Sequence, residues 1–524
     1  MNKHETLYSL KNMFENKLKE NKIFQLSFSD AALVTFEKVG VFYKLSVIEN
    51  QDGLQKYLKT KINTNQSNVE VVNYIQESLK WMFRWYSKYC INESVINTSD
   101  IKAEDVYDLM GIAFSYEKFH IMWDLFSGKK VKYIIEKGNK LIFDYNNEEV
   151  YKNHVMYDSL LRKINTGKSL YDLHNSQVNK NNYLETINYI HQSQFSIEFE
   201  VEFDGFNLEE YKIFSNAINF IFAQKLLNTI RNMTINIIPG EEGVILHTSK
   251  EWVDKLSTGS GLTKDKTSKM IKFFTYDLND EKSDISLAYF IPYKDNTLIV
   301  SEAIFNLSSP QANALRLLCK KNEKNYSRAQ NNFEEQQIQD IKIEIGKKYL
   351  IPDNISKGLK NRPGMDLIVY DKETNHLQVV ELKYKIPIES TSDIKNLDNT
   401  MLNKAYQQVE ESKSIVSDKL HCILYEYYGE KYKNVVPQKI DHFILTYYSI
   451  GTGIDPNLEL NLPTPILLIS HYIECMKEDN GMELVHYFLN EKDKGMNVKI
   501  TKRYARYKFI NKKILIPEYF TKIN

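Results

Sequence analysis

Residues 364–386, GMDLIVYDKETNHLQVVELKYKI, leave this 524-residue chain fewer structural options than any other stretch. GMDLIVYD, opening beside the Pro363-Gly364 turn, reads as a strand. DKETNH is a polar turn, and LQVVELKYKI is a second strand. Side chains of a strand alternate faces, so Glu381 and Lys383 project from one side while Leu382 points into the opposite core. Charges that close an apolar strand need a reason to be there, because burying a charge is costly. If Asp366 lies on the neighbouring strand of that hairpin, two carboxylates and an ammonium converge. That set offers oxygen ligands for Mg²⁺ or Mn²⁺ with a cation beside them. The bland alternative makes Glu381 and Lys383 a solvated strand end and Asp366 a turn cap.

The length allows about two to four domains. Nineteen glycines and 11 prolines are few for such a chain, so flexible linkers and Gly-rich phosphate loops are scarce. Charged residues at 26% and hydrophobic ones at 42% fit an ordinary globular protein and argue against both disorder and a membrane protein. The N-terminus carries charge from Lys3 onward without an apolar core, unlike a signal peptide, and the most apolar runs are too short to span a bilayer. Four scattered cysteines with no CxxC pair suit a reducing compartment, so a cytoplasmic location is expected.

Changes of hydrophobic period divide the chain into an α+β multidomain protein. Residues 1–172 are expected to form a helix-rich N-terminal domain, with strand-like alternation at Ala32–Glu49. Trp81, Phe83, Trp85 and Tyr86 fall at helical spacing, which marks an aromatic core face more than a base-stacking platform. Residues 173–324 are expected to be an α+β middle domain containing a strand at FSIEFEVEF, a long buried helix after it, and two strands around an Asp-Asn turn. GSGLTKDKTSK lacks the glycine that a phosphate loop needs before its lysine and reads as a linker into a helix. Residues 325–494 form the chemistry-bearing domain. His471 and Cys475, at i and i+4, have no second pair to complete a zinc site, and Cys319 and Cys422 sit in apolar contexts that suggest core thiols.

Asp366, followed by Glu381-Leu382-Lys383 at the end of an apolar strand, resembles the PD-(D/E)xK nuclease superfamily with its restriction-endonuclease-like fold. The proline is displaced, giving Pro363-Gly364-Met365-Asp366. The order of elements is also similar: a helix, a strand hairpin, the ExK strand, the helix NKAYQQVEESKSIV and the strand DHFILTYYSI. The resemblance covers about a third of the chain. It implies a Mg²⁺- or Mn²⁺-dependent endodeoxyribonuclease in which Asp366, Glu381 and a carboxylate from the preceding helix bind metal and Lys383 positions the water. The helix carboxylate is Glu334, with Glu335 as the fallback, and Gln408 is the counterpart of a glutamine that some subfamilies place near the metal. Large single chains of this kind resemble bacterial restriction or anti-phage defence effectors. The competing reading is a non-catalytic module for nucleic acid or protein that keeps the nuclease fold.

Lysines plus arginines equal aspartates plus glutamates at 68 each, which hides a local bias. Residues 495–524 carry eight basic side chains against Glu518 alone, interleaved with Tyr504, Tyr507 and Phe509. Lys502, Arg503, Arg506 and Lys508 in this basic C-terminal segment are candidates for salt-sensitive contact with DNA or RNA close to the nuclease domain. A solvated amphipathic strand, or a dock against the chain's own acidic surface, fits equally well. The expected partners are nucleic acid and a second copy of the chain or a defence-system protein, since one metal site cuts one strand.

Overall fold

The computed structural model describes residues 3–47, 68–129, 131–136, 140–146, 200–231, 243–307, 310–352, 363–384, 403–447, 464–490, 498–509 and 512–523. It is a mixed helix and sheet protein of the α+β kind, with two compact units. The first takes the described residues of Met1–Asn146 and Lys163–Tyr326 together with Tyr504–Pro517, and the second takes those of Ser327–Arg503 and Glu518–Asn524. No described helix is long and apolar enough to cross a membrane.

The first unit opens with helices α1 (Lys3–Leu18), α2 (Phe28–Val47), α3 (Asn68–Tyr89) and α4 (Ala103–Ser127). Strands β1 (Val131–Glu136) and β2 (Lys140–Tyr145) follow as an antiparallel pair. The alternation expected from Ala32 is helical as far as Val47. Ser27 explains the difference: its Oγ accepts from the Asp30 N–H at 3.2 Å and stands 3.0 Å from Asp30 Oδ2, so the first turn is capped before the β-branched run begins. Ala32, Thr35, Phe36 and Val39 are buried at helical spacing. Phe83, Trp85 and Tyr86 are buried as a core face should be, with Phe36 stacked on Phe83 at 5.1 Å.

After α5 (Leu208–Arg231) come β3 (Val244–Thr248), α6 (Ser249–Ser260), α7 (Lys264–Phe273), β4 (Ile291–Pro292), β5 (Thr297–Ser301), α8 (Glu302–Leu307) and α9 (Pro310–Lys321). Most of FSIEFEVEF lies outside the described residues. Gly261 ends α6 at φ +73° and Thr263 caps α7, so GSGLTKDKTSK is the helix-to-helix connector its sequence suggests. Asp295 and Asn296, both at positive φ, turn β4 into β5. The expected boundary at 172/173 falls outside the described residues. Those on either side of it share one unit, where Lys294 Nζ meets Asp30 Oδ1 at 2.7 Å and Arg84 Nε donates to the Ser283 carbonyl at 3.1 Å.

The second unit begins in α10 (Glu323–Ile345) and continues through β6 (Leu367–Asp371), β7 (His376–Lys383), α11 (Asn403–Tyr428), β8 (Lys439–Thr446), β9 (Ile466–Leu468), α12 (Ile469–Lys477) and α13 (Gly481–Asn490). The expected boundary at 324/325 lies inside α10. The sheet order is β6-β7-β8-β9, antiparallel across β6/β7 and parallel thereafter, with Leu367 opposite Val380 and Glu381 opposite Ile444. Helices cover both faces. On one, Ser412 of α11 lies 3.1 Å from His442 Nδ1; on the other, the next residue, Phe443, packs against Tyr472 of α12. β6 and β7 are accordingly almost wholly buried, and their apolar side chains form one core with Ile341, Val416, Leu424, Met476 and Val485.

Two cysteine expectations are corrected. Cys319 and Cys422 are exposed, because in each helix the flanking leucine or isoleucine takes the core-facing position and the cysteine is turned about 100° away. The basic C-terminal segment is two strands, β10 (Val498–Phe509) and β11 (Lys512–Ile523). They complete a sheet of order β1-β2-β11-β10 in which β11 runs parallel to β2, with Ile514 opposite Leu141.

Candidate metal-binding site

The chemistry-bearing residues of the second unit come from four elements. β7 delivers Glu381 and Lys383 to the same face, as strand alternation requires. The β6–β7 hairpin sets Asp366 beside them, and the Leu382 N–H donates to Asp366 Oδ2 at 2.8 Å. The hairpin itself is closed by its own turn: Asp371 accepts from the Glu373 N–H at 2.9 Å and from Thr374 Oγ1 at 2.7 Å, and Asn375 takes φ 51°.

Glu381 has no exposed surface. One carboxylate oxygen pairs with the Lys383 ammonium, and the other has no hydrogen-bond partner. Burial pushes its carboxyl up to about 8, and the charge of the neighbouring Asp366 adds to this, while Lys383 opposes it. Glu334, on α10, is raised to about 7, chiefly by burial and in part by Asp366; Lys383 and a hydrogen bond from the Tyr384 backbone N–H pull the other way. Glu335 is exposed, so the structure puts Glu334 and not its neighbour at the cluster. Burial acts to lower the Lys383 ammonium, but Glu381, Asp366 and Glu334 together hold it above its ordinary value. The three acids do not all come within 4.8 Å of one another: Asp366 and Glu381 meet, and Glu334 stands off against Tyr384.

Phe333 fixes the α10 side of the cluster by packing edge-on against Tyr384 at 4.3 Å and Tyr447 at 5.0 Å. On the α11 side, Ala405, Val409, Ser412 and Val416 form the buried face. Gln407 is exposed, whereas Gln408 is half-buried and its Oε1 is buried with no hydrogen-bond partner. Gly364, at φ +77°, lies against the Gln408 backbone, which brings the turn before Asp366 onto α11.

The donor set is carboxylate oxygen throughout, the chemistry that Mg²⁺ and Mn²⁺ prefer. An unpartnered buried oxygen on Glu381 and two acids raised chiefly by burial, with Asp366 adding to it, are what a cation would relieve. Asp366 and Glu381 therefore offer the chemistry a hard divalent cation needs, with Glu334 standing further off.

The basic residues of β10 are divided between the units: Lys502 and Arg503 fall in the second, Arg506 and Lys508 in the first. Lys502 is half-buried, Arg503 and Arg506 are exposed, and the Lys508 side chain lies outside the described residues. The central stretch, Tyr504–Pro517, is part of the first unit, where the Tyr504 hydroxyl reaches Asp144 Oδ2 at 3.3 Å and the Tyr507 ring packs on Phe114. The segment is thus shared between the units, with Tyr504–Pro517 drawn to the first by the pairing of β11 with β2.

One group escaped the sequence. His376, Asp441 and His486 converge from β7, β8 and α13, with ligand atoms all within 4.8 Å of one another. Their separations in the chain give no motif: the parallel β7/β8 register, which sets Asp441 opposite Gln378, brings the first two together, and α13 adds His486. His471 and Cys475 do not form such a group: the His471 ring packs on Phe488 and Cys475 is a buried thiol.

The chain matches no family model, no curated protein and no solved structure.

Proposed function

We propose that the second unit is a metal-dependent nuclease of the PD-(D/E)xK kind, hydrolysing phosphodiester bonds of DNA. The observation that carries the reading is the meeting of half-buried Asp366 with buried Glu381 at the end of a hairpin, with Lys383 on the same face. Support also comes from the layout: a helix bearing Glu334, an antiparallel hairpin, a helix bearing Gln408 and a parallel third strand, in the order the superfamily uses.

A bound Mg²⁺ or Mn²⁺ would polarise the phosphoryl oxygen and make its bound water a stronger acid. Asp366 and Glu381 hold the cation, and Glu334 completes the acidic set. Lys383 keeps a positive charge beside them, orienting the attacking water and offsetting negative charge that develops on the phosphate. Gln408 contributes a neutral polar group from α11. The apolar core beneath β6 and β7 keeps these side chains in fixed rotamers, which is the condition for a charge array to act on a transition state and not merely relax around it.

The test is incubation of the full chain with plasmid DNA, single-stranded DNA and RNA in Mg²⁺ or Mn²⁺, beside Asp366→Ala and Lys383→Ala. Cleavage of DNA that disappears in both variants and in excess EDTA is expected. Cleavage indifferent to both substitutions would sink the site, and no cleavage of any substrate would favour a binding module that keeps the fold.

A further inference from the structure

His376 opens β7, five positions before Glu381 and on the opposite face of the sheet. It is 1% exposed, and its Nε2 stands 2.8 Å from Oδ2 of Asp441, itself 8% exposed. The other oxygen, Oδ1, stands 2.8 Å from Nδ1 of His486. A buried carboxylate flanked by two imidazole nitrogens is thus assembled from two strands and a helix. Leu489 and Val485 of α13 belong to the core, and no described lysine or arginine pairs with Asp441.

We propose that His376, Asp441 and His486 hold a zinc ion that fastens α13 to the β7/β8 edge of the core. The donor set decides the metal. Two neutral imidazoles and one carboxylate suit Zn²⁺, whereas Mg²⁺ prefers oxygen alone. Zinc takes four ligands in a tetrahedron at about 2.0–2.2 Å. Three donor atoms already lie within 4.8 Å of one another, and small outward shifts from the 2.8 Å contacts admit the ion. His486 is 35% exposed, so solvent reaches the cluster from its side and a water completes the tetrahedron. Asn490, one turn further along α13, donates to the His486 carbonyl at 2.7 Å and has its amide beside the imidazole, which steadies that ligand from the helix end. The ion compensates the Asp441 charge and ties α13 to β7 and β8, and the site lies apart from the acidic cluster at the other end of β7.

Purified full chain would be stripped with chelator, exposed to ZnCl₂ and dialysed, then assayed for metal by mass spectrometry. One zinc per chain is expected for the wild type, and His486→Gln should weaken zinc binding by ~100-fold or more. His486 is exposed enough for that substitution to leave the core closed, and circular dichroism checks the fold. Replacing zinc by Co²⁺ in the wild type alone should give the intense visible bands of a tetrahedral nitrogen and oxygen site. Zinc retained undiminished by His486→Gln, a wild type that holds none, or a Co²⁺ spectrum of octahedral type would overturn the assignment. None of these readouts depends on nuclease activity.

Discussion

A Cβ built on Gly364 would stand 2.2 Å from the carbonyl oxygen of Gln408. The backbone of the turn before Asp366 therefore touches the backbone of α11 at a distance only glycine permits, and its φ of +77° favours glycine independently. Gly364→Ala should destabilise the chain by about 1–3 kcal/mol, read as a shift in the denaturant midpoint at unchanged slope. Because the same contact sets the position of Asp366, metal affinity should fall in the variant even where it remains folded. A variant as stable as the wild type would contradict the contact.

The crowded acids make stability depend on pH in a defined direction. Glu381 is raised from 4.5 to about 8 and Glu334 from 4.5 to about 7. In that range the folded state binds protons that the unfolded state has released, so their contribution is fully present below pH 4.5 and is lost as pH rises through 7 to 8. Melting curves of metal-free wild type and Glu381→Gln across this window should diverge with rising pH, the wild type losing more. Saturating Mg²⁺ should close the gap at high pH, where the ligands are already deprotonated. Parallel curves would refute the shifts.

Lys383 and Glu381 form a buried ion pair on one face of β7. If the lysine acts on the transition state, Lys383→Met should lower kcat by about 10²–10³-fold with KM for DNA little changed. A rise in KM alone would reassign Lys383 to ground-state binding.

The first unit has its own buried charge. Lys80 pairs with Glu77 and stands 3.0 Å from Glu117 Oε1, and the same Glu117 accepts from the Trp81 indole. Lys80→Met leaves two acids buried without their cation and should cost about 3–5 kcal/mol, measured by urea titration. The double variant Lys80→Met/Glu117→Gln should recover part of that loss, because one of the stranded charges is gone.

What could be read in the sequence was local. Period-two alternation put Glu381 and Lys383 on one face of a strand, and helical spacing from Phe333 to Ile345 pointed to Glu334. In α2, residues with strong β-propensity sit in a helix, since the Ser27 cap and tertiary packing outweigh propensity. Cys319 and Cys422 show the limit of composition: apolar neighbours do not say which way a helical side chain faces. His376, Asp441 and His486, like the pairing of β11 with β2, depend on contacts between distant segments, and no periodicity within a window reports those.

The parallel pairing of β11 with β2 has a consequence for how the protein is made. During synthesis the β1–β2 hairpin emerges long before its neighbour, so β2 presents a bare edge of backbone donors and acceptors to solvent or to any nascent chain nearby. That edge is sealed only once Lys513–Leu515 have left the ribosome. Chains stalled or clipped before Lys512 should consequently be the ones that chaperones retain and that aggregate, with β2 as the adhesive strand.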